Sequence, residues 1–392
     1  TTDATHTNIA DDWATVGAWT KQSSITITSG GSGTSGPLTI SGNGTGSNVY
    51  FFNSITVEAY TDYIVYLNVG SMNVAALGIA PATYNMGSLL VDFTTDYNRQ
   101  YTFNSGNRTT VYFQGHQSSA SNSVINGVFI QKQAGGNQDR SVKNQGLLTM
   151  GTVPKNPVED GAEAIAYGPF SSSNYFRQGY YPDLDWDGNA RWHISFWVNF
   201  TQDNAYNVLM KRSAASGNAW TIETGSGNSV AFKATGGAVR ANIPGDNVFN
   251  EWRHFVYTHD GVAMYGYKDG KIIDTYYGTD NYVNALGMLH IGSDDCDNSK
   301  LSMVRIGRGA LSNEQVKRIY ADEKKIFQKN AKCTLYGTTS ATKAIAYDDS
   351  TDIVHVGTAS GRSDMSGMIR INNTTDAVTW SMSASNGLVA EY

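Results

Sequence analysis

Proline and cysteine are both scarce in this chain of 392 residues, at seven and two copies, and only 16% of its residues are charged. The two cysteines, Cys296 and Cys333, cannot build a disulfide scaffold and sit in no zinc-ligand spacing; they either pair with each other or stay free. A fold with so little covalent support rests on burial, which 40% hydrophobic residues can supply over modules of ordinary size. No apolar run reaches the ~18 residues of a spanning helix, so no membrane insertion is expected. The net charge of −6, without long runs of one sign, excludes nucleic acid as a partner, because neutralising phosphates needs a basic face. The start at Thr1, with no initiator methionine, is that expected of a processed or trimmed product.

Catalytic patterns are missing as well. There is no G-x-S-x-G elbow, no H-E-x-x-H and no phosphate-cradling G-x-x-x-x-G-K-S/T. Glutamate is rare (Glu58, Glu159, Glu163, Glu223, Glu251, Glu314, Glu323, Glu391), and none of these forms the E-x-D-x-x-E strand that sets two carboxylates on one face in jelly-roll glycoside hydrolases. A non-enzymatic protein with no catalytic residues is therefore expected. His254 and His259 fall on opposite faces of a strand and read as ordinary hydrogen-bonded histidines rather than chelators.

What is abundant is glycine (41), tyrosine (23), serine, threonine and asparagine. Tyrosine and threonine suit pleated surfaces, and glycine and asparagine suit turns, so the expected class is all-β. The pattern along the chain predicts tandem antiparallel jelly-roll sandwiches, with one C-terminal helix on the second and a small β tail segment. Residues 1–133 form the first module, with strands at Ser24–Thr28, Val49–Phe52, Tyr63–Val69, Leu89–Phe93, Thr109–Gln114 and Gly127–Gln131, and Gly/Ser loops at Ser29–Gly36 and Ser41–Ser47. Tyr63, Val65, Leu67 and Val69 share one face, with Ile64 and Tyr66 on the other. Residues 134–158 read as a linker with one short strand at Gly146–Met150.

Residues 159–330 carry the strongest signals. Trp192, Ile194, Phe196, Val198 and Phe200 alternate with His193, Ser195, Trp197 and Asn199, as in a strand with one strongly apolar face. Asp260-Gly261 and Asp269-Gly270 punctuate a three-stranded meander and predict type I′ turns. Ser312 and Gln315 form a capping box for a helix over Asn313–Gln328, with Val316, Ile319, Tyr320 and Phe327 as its apolar stripe. Residues 331–392 add four short strands, Ala344–Tyr347, Ile353–Gly357, Gly367–Asn372 and Ala377–Ser381. Their apolar residues are too few to order the segment alone, so it is expected to gain order from another copy, from a neighbouring protein or by docking back onto the second module.

Several stretches resemble known families. Tyr181–Phe200 (YPDLDWDGNARWHISFWVNF), Glu251–Ile273 (EWRHFVYTHDGVAMYGYKDGKII), LHIGSDD and LSMVRIGRGALSNEQVKRIYADE resemble the opening strand, tryptophan-led hairpin, final strand and closing helix of the laminin-G-like, concanavalin-type jelly roll. That family usually carries an acidic residue where Ser302 or Met303 stands here. The first module, with Trp13, Trp19, SITVEAYTDYIVYLNVG and VINGVFIQ, is similar in architecture to galactose-binding-like and family-4/9-type carbohydrate-binding jelly rolls. Asp139–Phe176 and Cys333–Arg362 resemble segments recurring in tail-fibre and other structural proteins of marine tailed phages, and AIAYDDSTDIVHVGT resembles one β-propeller blade. These resemblances imply a virion structural protein, tail-fibre-like or capsid-decorating. It would act as a homo-oligomer, most simply a trimer, together with other virion proteins, and would bind host cell-surface glycans. A secreted bacterial polysaccharide-binding module and a purely structural assembly protein are the alternatives.

Loop aromatics are the candidate sugar platforms: Tyr175, Tyr180, Tyr181 and Trp186 near one module edge, and Tyr276, Tyr277 and Tyr282 in another loop. No cofactor is required by the pattern. Calcium has two candidate loops: Asp183, Asp185 and Asp187, which match half of an EF-hand loop but lack its final carboxylate, and Asp294, Asp295 and Asp297 with Asn298.

Overall fold

A computed structural model describes the chain apart from residues 1–17, 23–24, 30–36, 43–48, 75, 95–99, 118–121, 133–145, 204–206, 215–216, 284–286, 295, 297–298, 340 and 392. Trp13, most of the two Gly/Ser loops and the first half of the expected linker lie outside the described residues.

The first module is a sandwich of two five-stranded antiparallel sheets. One runs Thr20–Lys21, Val49–Thr56, Thr110–Gln117, Ala76–Ala80, Val91–Asp92; the other runs Ile25–Ser29, Leu38–Gly42, Asn122–Lys132, Asp62–Ser71, Gln100–Asn104. Tyr63, Val65, Leu67 and Val69 enter its core with Phe51, Phe113 and Ile125. The opposite face of the same strand is buried too: Ile64 and Tyr66 pack against Leu148, which belongs to the next module.

The second module is a sandwich of two seven-stranded sheets. It begins earlier than the sequence reading placed it. Leu148–Met150 pairs with Tyr175–Gln178, and Lys155–Pro157 pairs with Ile165–Tyr167, so each is the outer strand of one sheet and not linker. The first is the short strand expected within Gly146–Met150, while Lys155–Pro157 is too short and too polar to show a period and is defined by its partner. Trp192, Ile194, Phe196, Val198 and Phe200 face the interior, as alternation predicts. Ser195 and Trp197 on the other face are buried as well, because the helix and the turn after it cover that side.

That helix spans Asn313–Glu323 with the Ser312–Gln315 capping box in place. It stops short of the expected Gln328: beyond it the chain continues in turns, with Ile326 N donating to the Glu323 carbonyl, and Ile326 and Phe327 join Trp197, Trp252 and Ala166. Of the two Asp-Gly turns, only Asp269-Gly270 has both residues at positive φ (49° and 77°). At Asp260 the carboxylate instead accepts from Val262 N and Ala263 N, closing a longer loop.

The C-terminal segment is a four-stranded meander (Thr342–Asp348, Ile353–Thr358, Gly361–Ser366, Ile369–Asn373) plus a hairpin, Met382–Ser385 with Leu388–Glu391. The expected strand Gly367–Asn372 is half of a hairpin turning at Gly367, and the expected strand Ala377–Ser381 is irregular, with Val378 lodged against Gly357. The segment docks on the second module through Glu163. Its Oε2 accepts from Cys333 N, Thr334 N and Thr334 Oγ1 at 3.0, 2.9 and 2.7 Å.

Candidate functional site

The candidate aromatics of the second module fall into two groups, Tyr180, Tyr181 and Trp186 after the strand Tyr175–Gln178 and Tyr276, Tyr277 and Tyr282 at and after the strand Lys271–Tyr277, with Tyr175 apart from both. The loop after Tyr175–Gln178 is held by Arg212, whose side chain is wholly buried. Its Nη2 donates to Asp185 Oδ1 at 2.5 Å, and its Nη1 donates to the carbonyl of Tyr181 at 3.4 Å. The hydroxyl of Tyr180 donates to the other oxygen of Asp185 at 2.8 Å. Burial lowers the pKa of the Arg212 guanidinium, and the Asp185 carboxylate works against that shift. An isolated buried arginine would be costly, and Asp185 supplies the missing charge.

Trp186 is not a platform. It lies fully inside, stacked on Trp192 at 4.6 Å and on Trp220 at 5.8 Å, both nearly parallel. Tyr282 is likewise core, edge-on to Trp192 and Phe232. Burial raises its phenol well above the ordinary range. These two expected sugar contacts are therefore corrected to packing residues. Both sit in irregular sequence, but the sandwich end leaves a gap that only large rings fill.

They have a second effect. The amide of Tyr282 donates to the carbonyl of Trp186 at 2.7 Å. His259 lies between the same two loops, with Nδ1 at 3.0 Å from the Ala190 carbonyl and Nε2 at 3.1 Å from that of Gly278. Two loops far apart in sequence thus form one rim.

Tyr276 and Tyr277 stand on that rim with opposite fates. Tyr276 is half-buried beneath Arg240, whose guanidinium lies 5.0 Å from the ring centre. Arg240 grips Asp280 with two nitrogens, at 2.5 and 2.9 Å, and this contact raises the arginine pKa. Tyr277 is 79% exposed. Tyr180 and Tyr181 lie in the other loop, where Asp185 and Arg212 hold them. Tyr175 belongs elsewhere, stacked on His290 within a strand. Arg212, Arg240 and Asp280 went unnoticed in the sequence because nothing in their spacing marks them; each acts through a partner brought by the fold.

The acidic loops hold no assembled cation site among the described residues. Asp185 is engaged by Arg212, Asp187 accepts from Asn189 N, and Asp183 lies 3.8 Å from Arg308. Asp295, Asp297 and Asn298 lie outside the described residues, and of Asp294 only the backbone is described, at the end of Met288–Asp294.

Residues 172–317 match the profile of the concanavalin A-like lectin/glucanases superfamily, laminin G type, which places the second sandwich among laminin-G/concanavalin-like jelly rolls. No curated protein matches the sequence. Solved structures to which the chain is similar include domain 4 of AbnA, a GH43 extracellular arabinanase from Geobacillus stearothermophilus, in complex with arabinotriose: 17% identity, 46% of this chain and 91% of that one, TM-score 0.37. The binding domain of Paraclostridial Mosquitocidal Protein 1 is 15% identical over 65% of this chain and 64% of that one, with TM-score 0.39. The ligand binding domain of botulinum neurotoxin serotype D in complex with N-acetylneuraminic acid is 11% identical over 58% of each, with TM-score 0.39. The chain therefore spans less than two thirds of the mosquitocidal and neurotoxin domains it matches.

Proposed function

We propose that the protein is a non-enzymatic glycan-binding protein whose second jelly roll recognises sugar at the rim of Tyr276, Tyr277, Arg240 and Asp280. The observation that supports this most is Tyr277, left 79% exposed on a rim that also carries a bidentate arginine–carboxylate pair. A pyranose offers an apolar face for a tyrosine ring and hydroxyls for a fixed ion pair, so the two groups suit it together. A glycan array probed with the intact protein and with Tyr277→Ala tests the reading: at least one glycan bound by the first should be lost by the second. Equal binding by both would remove this rim as the site.

The same reading places the chain in a phage particle, as a homo-oligomer most simply trimeric, with calcium as an optional ligand of the Asp294 loop. Its support is the sequence resemblance of Asp139–Phe176 and Cys333–Arg362. The C-terminal module also leaves Ile345, Tyr347, Trp380 and Leu388 largely in water, as an assembly surface would. Mass spectrometry of purified particles and light scattering of the isolated protein decide this part. A monomer at all concentrations, absent from particles, would leave the glycan reading standing alone.

A further inference from the structure

The first module carries an aromatic platform that none of the sequence signals above picks out. Phe51 and Phe113 point into the core, so Tyr50 and Phe52 on one strand and Tyr112, Gln114 and His116 on the next all face outward. The pairing sets Tyr50 opposite His116, Phe52 opposite Gln114 and Ser54 opposite Tyr112. On the far side lie only small residues, Ala76, Gly78 and Ala80, opposite His116, Gln114 and Tyr112. The loop between Ala80 and Val91 folds into the trough they leave; a Cβ on Gly78 would come within 2.7 Å of Leu89.

This loop delivers Tyr84. The Gln114 side chain, almost fully buried, clamps the loop: Oε1 accepts from Tyr84 N at 3.1 Å, and Nε2 donates to the Asn85 carbonyl at 3.0 Å. Tyr84 is held at φ 60°, a left-handed conformation that a bulky residue rarely adopts. Its ring meets Tyr50 and Phe52 edge-on at 5.4 and 5.5 Å, yet 51% of the residue stays in water. Phe52 meets Tyr112 at 5.7 Å, and the His116 ring lies 5.5 Å from Tyr50. The Nδ1 of His116 is buried without a hydrogen-bond partner. A tyrosine strained in order to stay exposed, on rings edged with hydroxyls, is difficult to explain as packing.

We propose that this platform is a second binding site, for a neutral hexopyranose oligosaccharide, with Tyr84 and Tyr50 stacking on the sugar rings and Gln114 as a positioning residue. The platform side chains carry no fixed charge, which fits a neutral sugar better than an acidic one. Burial keeps His116 below the ordinary histidine range, so it stays uncharged at neutral pH. The polar edges of Tyr50, Tyr84 and Tyr112 favour a hydroxylated ligand over a purely apolar one.

The test is calorimetric titration of the full chain with cellohexaose, laminarihexaose and mannohexaose, and with oligogalacturonate as the charged comparator. Saturable binding of at least one neutral hexaose is expected, weakened about tenfold by Tyr84→Ala, the loss of one ring contact. Tyr60→Ala, an exposed ring elsewhere on the same module, should leave that binding unchanged, which separates the platform from aromatic exposure in general. Gln114→Ala should weaken binding, and its loop amides, Tyr84 and Asn85, should exchange faster while the core strands of the module stay protected. No saturable binding of any neutral hexaose, preference for the oligogalacturonate, or equal affinity in Tyr84→Ala would each overturn the proposal.

Discussion

The Trp186 carbonyl accepts from the Tyr282 amide at 2.7 Å, and this contact joins two loops that otherwise share no sequence relation. It separates two kinds of aromatic residue at one sandwich end. Trp186→Ala removes a fully buried ring from a three-tryptophan stack and should cost about 3–5 kcal/mol in denaturant unfolding. Tyr277→Ala, on the same rim, should stay within about 0.5 kcal/mol of the parent. If Trp186→Ala unfolds at the parental midpoint, the stack is not what closes this end.

Glu163 holds the C-terminal module by accepting from Cys333 and Thr334 and by facing Arg370 at 3.4 Å. Glu163→Ala should loosen that attachment by about 1–3 kcal/mol. Hydrogen exchange at Cys333 and Thr334 should rise while the interior strands of the second sandwich stay protected. Burial alone would raise this carboxyl, but hydrogen bonds from Thr334 and Cys333 and the nearby Arg370 outweigh it and hold it below the usual range. Its contribution is therefore complete at neutral pH and is lost as the pH falls through that depressed value, so acid should reproduce the mutant. Unchanged exchange in the mutant would place the attachment elsewhere.

His254 is buried beneath the helix, bonded through Nε2 to Ser195 Oγ at 3.0 Å. Burial, and then Arg305, lower its pKa to about 3. The unfolded chain takes up a proton near pH ~6.5 and the folded one does not, so stability rises with pH across the interval between. Between about pH 4 and pH 6 this one group should contribute a slope of about 1.4 kcal/mol per pH unit. In His254→Phe that part of the slope should vanish, as read from guanidinium unfolding at a series of pH values. A slope that persists would assign it to other groups.

The two sandwiches meet at Arg177, whose guanidinium lies 4.3 Å from the Phe129 ring centre and 5.0 Å from that of Tyr66. Its Nε and Nη2 are buried without partners, so Arg177→Leu should be neutral or stabilising in a thermal melt. Gly179→Ala should do the reverse, because its Cβ would lie 2.5 Å from the Tyr66 ring. Small-angle scattering should then report a longer particle, and the melt should split in two. A single transition at the parental temperature would mean that the interface yields without parting.

Much of the architecture was legible in the sequence because it is written in short-range signals. The alternation of Trp192 to Phe200 names a strand and its inner face. Ser312 and Gln315 cap a helix by contacts within one turn. Asp269-Gly270 turns because its own backbone adopts positive φ. The short strand Leu148–Met150 was legible, although its place in the second sandwich was not; Lys155–Pro157 escaped notice, since three residues without a period owe their conformation to a partner such as Tyr167.

The sequence by itself determined the class of the protein: many short strands, one capped helix and abundant aromatic residues without a catalytic or metal-binding pattern. Which aromatics face water was decided only by the tertiary structure. Trp186 and Tyr277 looked alike as loop rings, yet one is covered by Trp192 and Trp220 and the other is left 79% exposed by the described residues. Tyr84 gave no signal at all, because its exposure depends on Gln114 gripping its backbone from another strand. Periodicity reports what a residue's own segment can form, whereas burial depends on which distant segment arrives to cover it, and neighbours along the chain carry no record of that.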